Sequence, residues 1–265
     1  MVQILFAGCR FLLAGVLTIL LGSLLSRKCL IPKRCSIGKI IKLSMVQTVL
    51  QYLFFYIGLA HTTGVKSSII NGFNVFMSIF VAAVFFRQEV INRRKLLGCV
   101  LGFAGVVLVN VAGSAGFDLQ MKWSGEGALL LATVANAFST VMIKIYSKDE
   151  NPVVLSGYQF ALGGLTMMGA AYLAGARITP AEAVFPAVGM LIYLGFVSAV
   201  AYSVWGILLK YNEVSVVTVF SFMTPIFGVI LSALLLGETG SLGVASITAL
   251  LLISVGIYIV NKGDV

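Results

Sequence analysis

The chain has 265 residues, of which 60% are hydrophobic and 10% charged, with a formal net charge of +9 and a mean hydropathy of +1.06. Soluble domains are about half apolar and about a quarter charged, so a water-soluble globular fold is excluded and one all-α integral membrane domain is expected. The basic residues sit in short loops between apolar runs and form no basic face with interleaved aromatics; this excludes a nucleic-acid partner and points to the positive-inside rule.

Taken in chain order, apolar runs fall at 2–25, 40–60, 65–86, 96–112, 125–145, 153–174, 184–209, 214–236 and 242–260. Each approaches the roughly 20 residues that a helix needs to cross a hydrocarbon core about 30 Å thick. Nine transmembrane helices are therefore expected. The loop after the first run carries Arg27, Lys28, Lys33, Arg34, Lys39 and Lys42, and the loop after the third carries Arg87, Arg93, Arg94 and Lys95. Lys144, Lys148, Lys210 and Lys262 fall on the same side, against Lys66, Lys122 and Arg177 on the other. This bias orients those loops and the carboxyl end toward the cytoplasm and, with nine spans, the amino end outward.

An internal repeat runs through the chain. The stretch CRFLLAG, 9–15, returns as YQFALGG, 158–164, at an offset of 149 that pairs Arg10 with Gln159, Phe11 with Phe160 and Gly15 with Gly164. The same offset pairs Val65 with Val214, Phe73 with Phe222 and Glu89 with Glu238, and after a shift of two GVVLVN (105–110) pairs with GIYIVN (256–261). The copies read as 1–113, with four helices, and 125–262, with five. Because five is odd, the copies have opposite topology, giving an inverted 4(5)+5 repeat of the kind secondary transporters use to exchange outward-open and inward-open states. The counterpart of the fifth helix would precede residue 1. The expectation is a truncated chain or an internal start rather than a true nine-helix variant, because the gap would open a polar cavity wall to lipid.

Several stretches together carry a family resemblance: RFLLAG (10–15), FFRQE (85–89), GFAGVVLVN (102–110), AYSVWGILLKYNEVS (201–215) and FMTPIFGVILSALLLGE (222–238). With these the chain resembles the ten-helix EamA-type members of the drug/metabolite transporter superfamily over essentially its whole length, lacking the first helix. The resemblance implies two five-helix repeats around a central cavity, alternating access without ATP, and cytoplasmic termini.

Polar side chains in lipid-crossing helices are costly unless they face the interior, so their spacing marks a cavity. Ser67, Asn71, Asn74 and Ser78 recur on one helix face, as do Ser44, Gln47 and Gln51; Asn136, Thr140 and Lys144; Ser198, Tyr202 and Trp205; and Thr218, Ser221 and Thr224. The substrate-binding candidates are Arg10, Gln51, Asn71, Asn74, Asn136, Gln159, Tyr202, Trp205, Ser221 and Thr224. Serine, threonine and asparagine also hold helices together by hydrogen bonds, and that reading suits Ser67, Ser78 and Thr218 best. Arg10 reads as a partner for a substrate carboxylate or phosphate, or as a fold residue bonded to helix-end carbonyls. Pro225 removes a backbone hydrogen bond and would kink its helix at a gate. No Asp or Glu stands near the middle of a span, so a membrane-centre proton carboxylate is not visible.

Four cysteines without a CxxC pair and the single histidine, His61, supply no metal site, and neither a cofactor nor an enzymatic activity is expected. The leading function is a secondary carrier of the inner cell membrane that moves an amino acid or related metabolite, in the export direction. The alternatives are a carrier of phosphorylated or nucleotide-linked sugars, or a non-transporting membrane scaffold if the chain is truncated. Expected partners are a small-molecule substrate and the lipid bilayer; self-association into a homo-oligomer is left open.

Overall fold

Helix forms on each of the nine apolar runs in the computed structural model, which describes residues 2–62, 64–112, 122–177, 184–224, 226–227, 231 and 244–262. The helices are α1 (Val2–Ser26), α2 (Arg34–Ala60), α3 (Gly64–Phe80, continued by the π turn Val81–Phe85), α4 (Arg93–Ala112), α5 (Trp123–Tyr146), α6 (Pro152–Leu173), α7 (Val184–Tyr211), α8 (Val214–Thr218, continued by the 3-10 turn Val219–Phe222) and α9 (Val244–Asn261). Among the described residues there is no strand. Six of these helices are long and apolar enough to cross a bilayer on their own. They present large apolar side chains outward, such as Leu24, Leu25, Leu173 and Tyr193, each more than half exposed. A soluble protein would not leave such surfaces bare; in hydrocarbon they need no cover. The protein is an all-α, multi-pass membrane protein.

Local chemistry sets the helix starts. Asn151 caps α6 by accepting from the Val153 amide at 2.9 Å, with Pro152 at the first helical position, where its missing N–H is no loss. Asn92 caps α4 in the same way, accepting from the Lys95 amide at 2.8 Å. Within α2 the segment Ser44–Leu50 widens into π geometry. The wider turn lets the adjacent residues Gln47 and Thr48 both point inward, where they are 1% and 0% exposed.

The chain divides into two compact units, Met1–Tyr56 with Ser139–Tyr211, and Ile57–Phe138 with Asn212–Val265. Each draws on both sequence copies. In the first unit α1 packs on α6, its counterpart in the second copy. A Cβ on Gly15 would lie 2.6 Å from the Gly157 carbonyl oxygen and overlap the Ala161 amide; a Cβ on Gly164 would lie 2.7 Å from the Gly8 carbonyl oxygen and overlap the Leu12 amide. These contacts are equivalent under the offset of 149, since Gly8 maps to Gly157, Leu12 to Ala161 and Gly15 to Gly164. The pair α1 and α6 is therefore antiparallel and related by a local pseudo-two-fold axis. Small residues are needed because lipid-embedded helices associate by close packing rather than by the hydrophobic effect. Outside the apolar spans, Lys33 donates its amide to Glu150 at 2.9 Å and Lys39 pairs with Asp149 at 2.5 Å, fastening the loop after α1 and the first turns of α2 to the loop after α5.

The second unit repeats the arrangement with α4 and α9. A Cβ on Gly98 would meet the Gly256 carbonyl oxygen at 2.7 Å, and one on Gly105 the Ala249 carbonyl oxygen at 2.8 Å. With the shift of two these contacts also exchange, Gly98 mapping to Ala249 and Gly105 to Gly256. Val75, Ile79, Cys99, Val106, Val219, Phe222 and Ile253 fill the core beside this pair.

Candidate functional site

The pseudo-two-fold seam of the first unit places Phe11 and Phe160 face to face, with ring centroids 5.3 Å apart and planes 15° from parallel. Tyr52 from α2 leans on Phe11 at 4.3 Å, and Tyr202 from α7 meets Phe160 edge-on at 4.7 Å. The two tyrosine hydroxyls share a hydrogen bond, which closes an aromatic ring of four residues from four helices. Tyr56 and Phe55 extend it along α2.

Arg10 stands on this ring. Its guanidinium carbon lies 4.4 Å from the centroid of Phe11 and 5.6 Å from that of Tyr52, a cation–π arrangement that strengthens away from water. Its Nε is buried and has no hydrogen-bond partner, and the same holds for the Oε1 of Gln51, next to Tyr52 on α2. A buried unpaired donor is expensive. An anionic group placed at Arg10 would satisfy it, and the aromatic walls suit an apolar remainder.

Gln159, the repeat counterpart of Arg10, is in a different state. It is fully buried, accepts from the Thr48 hydroxyl at 2.7 Å and donates to Gln47 Oε1 at 2.9 Å. The π segment of α2 aims both partners at it. At the positions equivalent to Gln47 and Thr48, α7 carries Phe196 and Val197, which offer Arg10 no comparable side-chain clamp. Trp205 is half-buried on α7, one turn beyond Tyr202.

The remaining candidates belong to the second unit. On α3, Ser67, Asn74 and Ser78 are buried, and Ser78 donates to Asn74 at 3.4 Å; Asn71, at the edge of the same stripe, is exposed. Asn136 on α5 and Ser221 on α8 are half-buried, while Thr224 is exposed. Pro225, the expected gate residue, lies outside the described residues. The structure thus gathers Arg10, Gln51, Gln159, Tyr202 and Trp205 in one unit and Asn71, Asn74, Asn136, Ser221 and Thr224 in the other.

Two features escaped the reading of polar stripes. The aromatic ring was signalled by QYLFFY (51–56), whose tyrosines recur at helical spacing, and by the repeated phenylalanine of CRFLLAG. The second is a pair of ionic networks in the second unit, Lys66 with Glu126 and Lys95 with Glu89 and Glu213. Lys95 lies six residues from Glu89 but 118 from Glu213, and Lys66 is likewise remote from Glu126, so no spacing rule announces the networks.

Comparison with known proteins places these observations. The chain matches the EamA-like transporter family over residues 2–111 and 123–262. It is 28% identical over 274 residues to a protein of Salmonella typhimurium named probable amino-acid metabolite efflux pump, covering 98% of this chain and 85% of that one. It is 27% identical over 245 residues to an uncharacterized transporter of Synechocystis sp., covering 86% and 72%. A WAT1-related chloroplastic protein of Arabidopsis thaliana is 29% identical over 192 residues; the match takes in 70% of this chain and 45% of the plant protein. A solved crystal structure superposes with a TM-score of 0.78 at 17% identity, covering 99% of this chain and 88% of the other, a likeness of fold alone.

Proposed function

Because the chain belongs to the EamA-like transporter family, it is a membrane transporter rather than an enzyme, and we propose that it is a secondary carrier exporting an amino acid or related small metabolite by alternating access. The observation that carries the substrate class is the Arg10 centre: a buried, unpaired guanidinium nitrogen set against an aromatic ring. Arg10 would take the substrate carboxylate, Gln51 a donor group beside it, and Tyr52, Tyr202 and Trp205 the apolar part. The name of the Salmonella relative supports the substrate class and direction. The inverted repeat supports alternating access, with 1–113 and 125–262 as the exchanging copies. The charge bias supports a cell-membrane topology with a cytoplasmic carboxyl end.

The test is flux in proteoliposomes across a panel of amino acids, cationic drugs and sugar phosphates. We expect saturable movement of carboxylate-bearing amino compounds, and absence of flux for every solute would overturn the carrier reading. Arg10→Lys keeps the charge but loses the planar guanidinium that stacks on Phe11; Arg10→Ala loses both. A hydrogen bond to a charged group is worth about 1.5–3 kcal/mol, so Arg10→Ala should weaken binding roughly 10- to 150-fold, and Arg10→Lys by less. Unchanged affinity in both variants would move the site away from Arg10.

A further inference from the structure

At the loop end of the first unit a cavity of about 550 Å³ opens between the loops after α1 and α5 and the last turn of α7. Lys33, Lys148 and Lys210 line it, one from each of those segments, and no residue of the Arg10 centre does. Both carboxylates in its wall are already engaged. Asp149 pairs with Lys39, and Glu150, 6% exposed, accepts from the amides of Lys33 at 2.9 Å and Asn151 at 3.0 Å. The two outer ammonium groups, by contrast, have neutral partners. Lys33 Nζ donates to the Asp149 carbonyl oxygen at 2.6 Å, and Lys210 Nζ lies 5.7 Å from the ring centroid of Tyr211. Among the described residues neither of them forms an ion pair.

The cavity lies where spans end: Pro152, which begins α6, and Tyr211, which closes α7, both line it. From its rim an apolar strip descends along α7. Tyr211, Ile207, Val204 and Val200 follow one another at steps of four, three and four residues, so they share one helix face. All four are exposed. An exposed apolar face on a membrane span is suited to acyl chains, and tyrosine at its polar end is a residue that membrane interfaces favour. A soluble anion has no use for such a strip. A molecule with a phosphate at one end and acyl chains at the other engages both parts, its charge at the lysines and its chains on α7.

We propose that this cavity binds the headgroup of an anionic phospholipid, its phosphate between Lys33 and Lys210 and an acyl chain along Ile207, Val204 and Val200. Basic pockets at the ends of spans recognise such headgroups by charge, and each lysine near them contributes about fivefold in affinity. The field at the site is felt by Asp149. The hydrogen bond and charge of Lys39, and after them the charges of Lys33 and Lys148, hold its carboxyl below the ordinary value. A bound lipid would bridge the loop after α1 to the end of α7, a tie that the protein's own ion pair between Lys39 and Asp149 does not make.

Native mass spectrometry of the full chain in a neutral detergent, titrated with phosphatidylglycerol and separately with phosphatidylcholine, tests the site without any transported solute. The wild type should bind phosphatidylglycerol several-fold more tightly than phosphatidylcholine. Lys33→Gln and Lys210→Gln should each weaken phosphatidylglycerol binding about fivefold and leave phosphatidylcholine binding as it was. Lys210 makes no side-chain hydrogen bond among the described residues, so Lys210→Gln carries the test if Lys33→Gln fails to insert. Lys262→Gln is the matched control. Lys262 also stands over a tyrosine, 5.3 Å from the centroid of Tyr258, but does not line the cavity, and this variant should bind both lipids as the wild type does. Equal wild-type affinity for the two lipids, unchanged binding in Lys210→Gln, or an equal loss in Lys262→Gln overturns the proposal. So does displacement of the lipid by glycerol phosphate at the lipid's own concentration, which would assign the cavity to a soluble anion.

Discussion

Phe11 and Phe160 are 149 positions apart and occupy the same place in two copies of one sequence pattern, yet they lie against each other with ring centroids 5.3 Å apart. A residue meeting its own counterpart locates the local pseudo-two-fold axis between α1 and α6. The glycines flank that axis in exchanged pairs, Gly8 against Gly164 and Gly15 against Gly157.

This symmetry makes the two seam glycines equivalent in energy as well as in position. Gly15→Ala and Gly164→Ala each drive a methyl group into the backbone of the facing helix, which cannot rotate away as a side chain can. Overpacking of this kind costs about 1–3 kcal/mol. Thermal unfolding in detergent should show similar, clear losses for the two variants. Gly169→Ala, with nothing within 4 Å of the added carbon, should melt like the wild type. A loss at one seam glycine and none at the other would refute the exchanged contact.

Gln159 provides a test of whether a repeat position has been turned from binding to bracing. Gln159→Leu strands the Thr48 hydroxyl and the Gln47 amide, both buried, and unsatisfied buried groups cost about 1–3 kcal/mol. Stability should drop while substrate affinity in the surviving protein stays as it was. Replacing Gln47 and Thr48 by Leu and Val in the same chain should restore much of the loss. An affinity change with no stability change would return Gln159 to the substrate-contact role.

The loop clamp rests on two carboxylates held below their ordinary range. The hydrogen bond and charge of Lys39 hold the Asp149 carboxyl below its ordinary value. For Glu150, burial pulls upward, but the amides of Lys33 and Asn151 prevail and hold it low as well. Depressed native values mean that the stabilising contribution is complete above the unfolded carboxylate range, about pH 4, and is lost as pH falls through the lower native values. Melting temperature measured from neutral to acid pH should decline there, and Asp149→Asn should flatten part of the decline. Because Asp149 is exposed, its share should also shrink in about 1 M salt; a slope indifferent to both changes would exclude the clamp as its origin.

The parts of the molecule written in the sequence are those set by local hydropathy or by repetition. The described part of each apolar run is helix because a backbone in hydrocarbon has to satisfy its hydrogen bonds within itself. The offset pairing Arg10 with Gln159 became a physical seam because equivalent segments pack on one another. Arg10 was conspicuous as a charge in an apolar run, and its place against Phe11 and Tyr52 gives it surroundings suited to an anion. The stripe reading did less well where burial depends on distant neighbours. Asn71 and Asn74 share a helix face by spacing, but only Asn74 is covered. The bond from Ser215 to Glu89 spans more than a hundred residues, and the π widening that turns both Gln47 and Thr48 inward leaves no mark in a 3.6-residue pattern.

The exchanged glycine contacts carry a further consequence. A contact in which residue i meets j and the counterpart of i meets the counterpart of j is isologous, the geometry of a two-fold homodimer. One unduplicated copy, inserted into the membrane in both orientations, would form the α1 and α6 seam between two separate chains with the same glycines. The α1 and α6 seam thus has, within one chain, the geometry an antiparallel pair would form, and its two sides differ in chemistry, with arginine on one side of the axis and a fully bonded glutamine on the other.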